Sequence, residues 1–478
     1  MAGIVLSVTL AAGCSGSGGG AGGADAANGK GRTGAFGEQL EAAGPTVKLS
    51  VPPQYDGSKG WDETLGWVPE SVGSLPVASV PRTGSVALLY GSPEGYTVKT
   101  RAADGRAGWS SAPWKVPIPV NADEGGTSSD EVAEIPDLTD VEVDGRGYVV
   151  AYAHGMSGKD ALHEGTEVVR LAVFPADSSG VGVKPLREVD VPVSGSAQQV
   201  RVSADGGRLL VAYGERGPYP RSGVAVDVTT GSVTPYEDPN KLLPQCTQAT
   251  LCQTSRVMAV SPDGPLVSMG LGYGFGVPGR WFSDSVRPDG VPSKAPVLER
   301  WNGRAYGVTN GRLLASWANG GKDGEPDRPP TWSVHDVRTG ALPARMECAY
   351  KETPGILDQS PAHATIASPS GRYLAAGPVT FDVERKKGIC LEGDGNRKTI
   401  SLASIRDDGT AYGVVDNGEA TASEAVVAQI DLNSASGDAK VLGAGVDIPL
   451  LTDVAGGGGL FLARDDNKNL RVSLRRGH

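Results

Sequence analysis

The chain alternates hydrophobic and polar positions in short bursts, and one arrangement returns. VSADGGRLLVAYG (202–214), VSPDGPLVSMG (260–270) and ASPSGRYLAAG (367–377) each hold an alternating run, a tight polar turn and a second apolar run. Period-two alternation on both sides of an Asp/Asn/Ser-Gly pair predicts two antiparallel strands joined by a hairpin. The turn recurs eight times: at Thr83-Gly84, Asp144-Gly145, Asp205-Gly206, Asp263-Gly264, Asn310-Gly311, Ser370-Gly371, Asp408-Gly409 and Gly457-Gly458. A β run follows each one: VALLY (86–90), YVVAY (148–152), LLVAY (209–213), LVSM (266–269), LLASW (313–317), YLAA (373–376), AYGVV (411–415) and LFLA (460–463).

A second hairpin follows the first in several units. VKTRAADGRAGW (98–109), VAVDVTTGSVTPY (224–236), WSVHDVRTGALPA (332–344) and VAQIDLNSASGDAKVL (427–442) each read as strand, Gly-containing turn, strand. A unit of four strands, here called a to d, recurring along the chain predicts an all-β protein: a β-propeller of four-stranded blades. Eight blades are expected, with seven as the alternative. The eighth repeat ends after LFLARDD and LRVSLRR (460–476), so its outer strand is expected from the N-terminal end, from TVKLSVP (46–52). Such closure removes the unpaired edges of an open ring. The 69 glycines and 34 prolines suit many short strands and leave little room for long helices.

Composition narrows the partners. Charged residues make up 21% and the net charge is −11, which argues against nucleic acid, whose phosphates need clustered Lys and Arg. The N-terminal run Ile4 to Ala12 is too short to span a bilayer. Leu10-Ala11-Ala12-Gly13-Cys14 resembles the lipobox of bacterial lipoproteins, although Ala11 stands where a large aliphatic is usual and no Lys or Arg precedes the apolar run. A start upstream of Met1 is therefore expected. The resemblance implies a signal peptide over 1–13, a diacylglyceryl group on Cys14 and anchoring at the extracytoplasmic face of the cell membrane. The remainder of 14–44 is a Gly/Ala/Ser-rich tether, leaving 45–478 for the propeller. Beyond Cys14, the even set Cys246, Cys252, Cys348 and Cys390 suggests two disulfides. Cys246–Cys252 would close a small loop and Cys348–Cys390 would join neighbouring repeats, with three connectivities open.

The SPDG-type turns resemble the WD40-like repeats of bacterial exported propellers, and the D-x-x-TG turns resemble those of PQQ-like (BamB-like) propellers. The resemblance spans roughly 46–478 and implies the fold more than a function.

In such a blade the a–b and c–d turns share one face of the ring, and the b–c and d–a connections share the other. The long segments 118–136, 153–166, 214–223, 236–255, 270–282, 318–331 and 343–364 nearly all fall in the second class. Binding is therefore expected on that face. Within GLGYGFGVPGRWF (270–282), Tyr273, Phe275 and Trp281 are expected to form an aromatic platform with Arg280 beside it, suited to sugars or apolar side chains. His154 and His163 share the blade-two loop and are candidate acid/base groups. The acidic stretch 121–134, with Asp123, Glu124, Asp130 and Glu131, reads as a solvated loop. Asp465, Asn467 and Asn469 lack the turn glycine and terminal carboxylate of a calcium loop.

G-x-S-x-G, H-E-x-x-H and P-loop motifs are absent from the sequence, and no catalytic residue, metal or cofactor is expected. The expected function is a lipid-anchored binding or scaffold module, monomeric, engaging an unknown protein, peptide or cell-wall glycan. The alternatives are an enzyme acting on a glycan or small molecule, and an envelope assembly factor.

Overall fold

The computed structural model describes residues 45–478 except 121–133, 194–198, 206, 215–221, 237, 247–254, 270–272, 295–300, 320–327, 351–363, 395, 417–424 and 435. Its strands assemble into eight antiparallel sheets, each following the order a-b-c-d. Blade 1 comprises Val77–Val80, Ser85–Ser92, Gly95–Ala102 and Ala107–Ser111. Blade 2 comprises Asp137–Val143, Arg146–Ser157, Thr166–Pro175 and Arg187–Pro192. Blade 3 runs through Gln199–Asp205, Arg208–Gly214, Ser222–Val226 and Val233–Tyr236, and blade 4 through Arg256–Ser261, Gly264–Ser268, Phe275–Val277 and Trp281–Phe282. Blade 5 holds Arg304–Thr309, Arg312–Trp317, Thr331–Asp336 and Ala344–Glu347. Blade 6 holds Thr365–Ala367, Tyr373–Ala376, Val379–Asp382 and Lys387–Cys390, and blade 7 Ile400–Ile405, Thr410–Val415, Val426–Asp431 and Asp438–Ala444. Blade 8 takes strands a to c from Leu451–Val454, Gly458–Arg464 and Leu470–Gly477.

Strand a of each blade touches strand a of the next, and the strand a of blade 8 touches that of blade 1. The first strands therefore form the innermost ring, and the protein is an eight-bladed β-propeller. All eight turns read from the sequence lie between strands a and b. Two show why an Asn- or Asp-Gly pair is needed. Asp144 and Gly145 have φ of 50° and 73°, and Asn310 and Gly311 have 50° and 68°. Positive φ at both central residues is the type I′ geometry, which matches the strand twist and which bulky side chains resist.

The core is divided into slices, one between each pair of blades. Val150, Leu171, Leu209 and Val211 pack between blades 2 and 3. Phe275, Leu313 and Trp317 pack between blades 4 and 5, and Trp61, Leu88, Leu460 and Leu474 close the ring between blades 8 and 1. Strands b and c of blade 3, Arg208–Gly214 and Ser222–Val226, are apolar on both faces because both faces are covered.

Closure is N-terminal, as expected, but through a different segment. The outer strand of blade 8 is Tyr55–Leu65, antiparallel to Leu470–Gly477, and not 46–52. An outermost strand is covered on one side only, so its pattern is weak: Tyr55, Trp61 and Leu65 are buried and the residues between are polar or glycine. Segment 46–52 lies beside it. The Val47 amide donates to Asp62 Oδ2 at 2.7 Å, and the Ser50 amide donates to Asp447 Oδ2 at 2.7 Å. Blade 1 carries a fifth strand, Val181–Val183, lent by the c–d connection of blade 2 and paired parallel to Ala107–Ser111. Cys348, just past strand d of blade 5, is disulfide-bonded to Cys390 at the end of strand d of blade 6, so the bridge joins neighbouring blades. Cys246 is also disulfide-bonded, while Cys252 and Cys14 lie outside the described residues.

Candidate functional site

The two faces differ in how their connections are used. The a–b turns run from two residues (144–145) to at most 368–372, and the c–d turns are short apart from 176–186 in blade 2. The opposite face carries the d–a connections 112–136, 237–255, 283–303 and 348–364, and the long b–c connection 318–330. On the plain face, polar groups tie each blade to the next. Asn310 Nδ2 donates to the Ser368 carbonyl at 3.3 Å. The Ser370 amide and hydroxyl donate to Asp407 Oδ1 at 2.9 and 2.6 Å, and the Asp407 amide donates to Asp453 Oδ2 at 2.6 Å. Arg338 pairs with Asp263 at 2.7 Å. These groups hold neighbouring blades together.

The expected aromatic platform does not assemble. Segment 270–282 contains strands c and d of blade 4 and is not one loop. Phe275 is 0% exposed, in edge-on contact with Trp281 and Trp317 at centroid distances of 6.0 and 5.5 Å. Trp281 is 9% exposed, and its Nε1 donates to the Val337 carbonyl at 3.0 Å. Both rings are therefore core. Arg280 lies in the c–d turn on the plain face, paired with Asp263 at 3.3 Å. Tyr273, half-buried, precedes strand c at the elaborated face. The short apolar bursts of this blade are strands buried on both sides, which periodicity alone does not separate from an aromatic loop.

The two histidines also part. His163 is exposed, and its Nδ1 lies 2.8 Å from Asp160 Oδ1 within a local turn. His154 is in strand b of blade 2, with a 6% exposed side chain held between two carboxylates. Nδ1 is 2.8 Å from Glu134 Oε2 and Nε2 is 2.8 Å from Glu167 Oε1. Burial opposes the charged ring, but the hydrogen bonds and charges of Glu134 and Glu167 outweigh it and raise the pKa above the ordinary histidine value. With both nitrogens engaged the ring clasps the two carboxylates. The nitrogens point apart, so the two carboxylates and the ring do not converge on one metal ion. Among the described residues no group of three or more His, Cys, Asp or Glu is placed to hold a metal.

Beside this clasp lies a pair that sequence reasoning missed. Asp137 begins strand a of blade 2, buried, and Tyr152 Oη donates to its Oδ2 at 2.9 Å. Burial pushes Asp137 up to about 6, against the hydrogen bonds from the Leu138 amide and Tyr152. Burial likewise pushes Asp140 up to about 6. The available signal was the register: Asp137 and Tyr152 are cross-strand partners. Asp465 accepts from the amides of Asn467 and Asn469 at 3.0 and 2.9 Å, so its carboxylate shapes its own turn. The acidic residues Asp123, Glu124, Asp130 and Glu131 lie outside the described residues.

No family model and no curated protein matches the chain. Solved structures do. A structure described as the Dos1 propeller is 8% identical, with a TM-score of 0.32, covering 87% of this chain and 95% of its own. Hsv2 of Kluyveromyces lactis is 10% identical with a TM-score of 0.31, covering 76% and 96%. A complex of KlAtg21 with the coiled coil of AgAtg16 is 9% identical with a TM-score of 0.33, covering 83% and 96%. The assignment of this chain to the eight-bladed β-propellers rests on its own strand order and ring of inner strands.

Proposed function

We propose that the protein is a binding or scaffold module that engages its partner through the elaborated face, held at the extracytoplasmic side of the membrane by a lipid on Cys14 and the tether that follows. The asymmetry between the faces carries this reading. Turns on one side are short and bound to each other, while long connections accumulate on the other. A rigid ring presenting variable loops is suited to recognition, because the scaffold bears the cost of ordering. The partner class is a protein, a peptide or a wall glycan.

In-cell crosslinking of the full chain followed by mass spectrometry tests it. The control replaces 318–330 with a two-residue turn, since deleting 270–282 would remove two strands of blade 4. A partner captured by the wild type and lost in the control is the expected result. Capture that is indifferent to the elaborated loops refutes the face assignment. Separately, Cys14→Ser is expected to release the chain into the medium, and retention in the membrane fraction refutes the anchor.

A further inference from the structure

The strand register brings together three arginines that the sequence scatters over a hundred residues. Arg201, Arg256 and Arg304 lie on strand a of blades 3, 4 and 5. Their cross-strand partners are Ala212, Ser268 and Ser316. Counted from the a–b turn, whose closing pairs are Asp205↔Arg208, Ser261↔Gly264 and Thr309↔Arg312, each arginine occupies the fifth pair. Blades 4 and 5 reach that position only because each carries a one-residue register shift, between Val257 and Ala259 and between Ala305 and Gly307. The three therefore stand at one height on adjacent inner strands, near the end where the d–a connections enter. Those strands touch in sequence, blade 3 to blade 4 and blade 4 to blade 5.

We propose that this arc, at the elaborated mouth of the central channel, is a binding site for a polyvalent oxyanion bearing phosphate or carboxylate groups.

Three observations support it. The arc is cationic in a chain whose net charge is −11, and it sits on the face with the long connections. Exposure differs across the arc: Arg201 is exposed, Arg304 half-buried, and Arg256 only 4% exposed, and a guanidinium pairs with an oxyanion more strongly where water is scarcer. The residue across from Arg256 is Ser268, 0% exposed, whose Oγ has no hydrogen-bond partner among the described residues. Paired across the ladder with Arg256, this hydroxyl retains a donor for an oxyanion. Each arginine also makes contacts within the chain. A guanidinium has five N–H donors in a planar fork, a geometry matched to carboxylate and phosphate oxygens.

The site deepens the binding-face reading and rests on it, but it is tested with no partner present. Purified full-length protein is titrated calorimetrically with inorganic pyrophosphate and, separately, with citrate. Saturable binding of at least one is expected, weakening as salt rises. Arg201→Gln and Arg304→Gln are each expected to weaken it by about tenfold or more, the scale of one charge-assisted hydrogen bond. Arg146→Gln, an exposed arginine at the plain-face end of blade 2, is the control and is expected to bind as the wild type. Binding of pyrophosphate alone assigns phosphate, and binding of citrate extends the site to carboxylates. Because Arg201 is exposed, its variant keeps the fold even where Arg256→Gln does not. Failure of both anions to bind, or unchanged binding by Arg201→Gln and Arg304→Gln, overturns the proposal. If the anions bind through these arginines and crosslinking finds no partner, the anion site stands and the partner reading falls.

Discussion

A buried ion pair spans the ring closure, and breaking it has a calculable consequence. Arg475, in the last strand, is 0% exposed, and its Nη1 lies 2.9 Å from Asp62 Oδ1 on the N-terminal strand. Nη1 also donates to the Trp61 carbonyl at 3.2 Å, and Nη2 to the Val47 carbonyl at 2.7 Å. Asp62 accepts in turn from the amides of Thr46 and Val47 at 2.5 and 2.7 Å. Burial works against the Asp62 carboxylate, but the neighbouring Ser473 hydroxyl, the Val47 amide and the Arg475 guanidinium prevail and hold its pKa below the ordinary value. Arg475→Met keeps the stem and removes the charge, stranding Asp62. Removing one partner of a buried pair costs about 3–5 kcal/mol, a large share of a typical folding stability of about 5–15 kcal/mol. With about 2.1 cal/mol/K of unfolding entropy per residue over roughly 430 residues, a loss of 4 kcal/mol lowers Tm by about 4 °C. The discriminating variant is the double replacement Arg475→Met with Asp62→Leu, which removes the stranded charge and should recover most of the loss. Differential scanning calorimetry of the wild type, both single variants and the double variant reads this directly. A single variant melting within about 1 °C of the wild type, or a double variant no better than Arg475→Met, refutes the reasoning.

Three further outcomes follow from the same geometry. His335 is 0% exposed, with Nε2 2.9 Å from Ser333 Oγ and Nδ1 3.1 Å from the Gly340 carbonyl, and burial pushes its pKa down to about 4. Its folded value lies below the unfolded value of about 6.5, so its contribution is intact above that pH and falls away as pH drops toward 4, by about 3 kcal/mol. Asp137 and Asp140, raised to about 6, act oppositely over the same range, so the readout is the stability difference between wild type and His335→Gln. That difference should shrink by about 3 kcal/mol between pH 7 and pH 4, and a constant difference refutes the assignment. The Cys348–Cys390 bridge spans 42 residues of sequence, so Cys348→Ala with Cys390→Ala should cost up to about 4 kcal/mol by loop entropy, and an unchanged denaturation midpoint counts against a structural role. Phe275→Ala should cost about 3–5 kcal/mol as a core cavity, whereas Arg280→Ala should stay within about 0.5 kcal/mol, a contrast urea denaturation will show or deny.

Local chemistry determined the repeat. A type I′ turn needs two residues at positive φ, so Asp144-Gly145 and Asn310-Gly311 announce hairpins wherever they stand. The strands after them pack on both faces, so LLVAY and YLAA read as buried β runs from composition alone. Counting those units predicts eight blades and closure by the N-terminal end, whereas the even number of cysteines leaves three pairings open and only the fold brings Cys348 to Cys390. The rest belongs to the tertiary structure, because it depends on pairings with no local signature. YDGSKGWDETL became the closing strand through the fit of Trp61 and Leu65 against Leu470 and Leu474, more than four hundred residues away. Val181–Val183 became a fifth strand of blade 1 by parallel pairing that its own Gly-rich sequence does not encode. Phe275 and Trp281 read as a loop platform until the neighbouring blade covered them. His154 acquired its two carboxylates, and Arg201, Arg256 and Arg304 their common height, only when register and two single-residue bulges aligned the strands. Turn chemistry acts over a few residues and is written where it acts, whereas a site assembled from several blades exists only once the ring has closed.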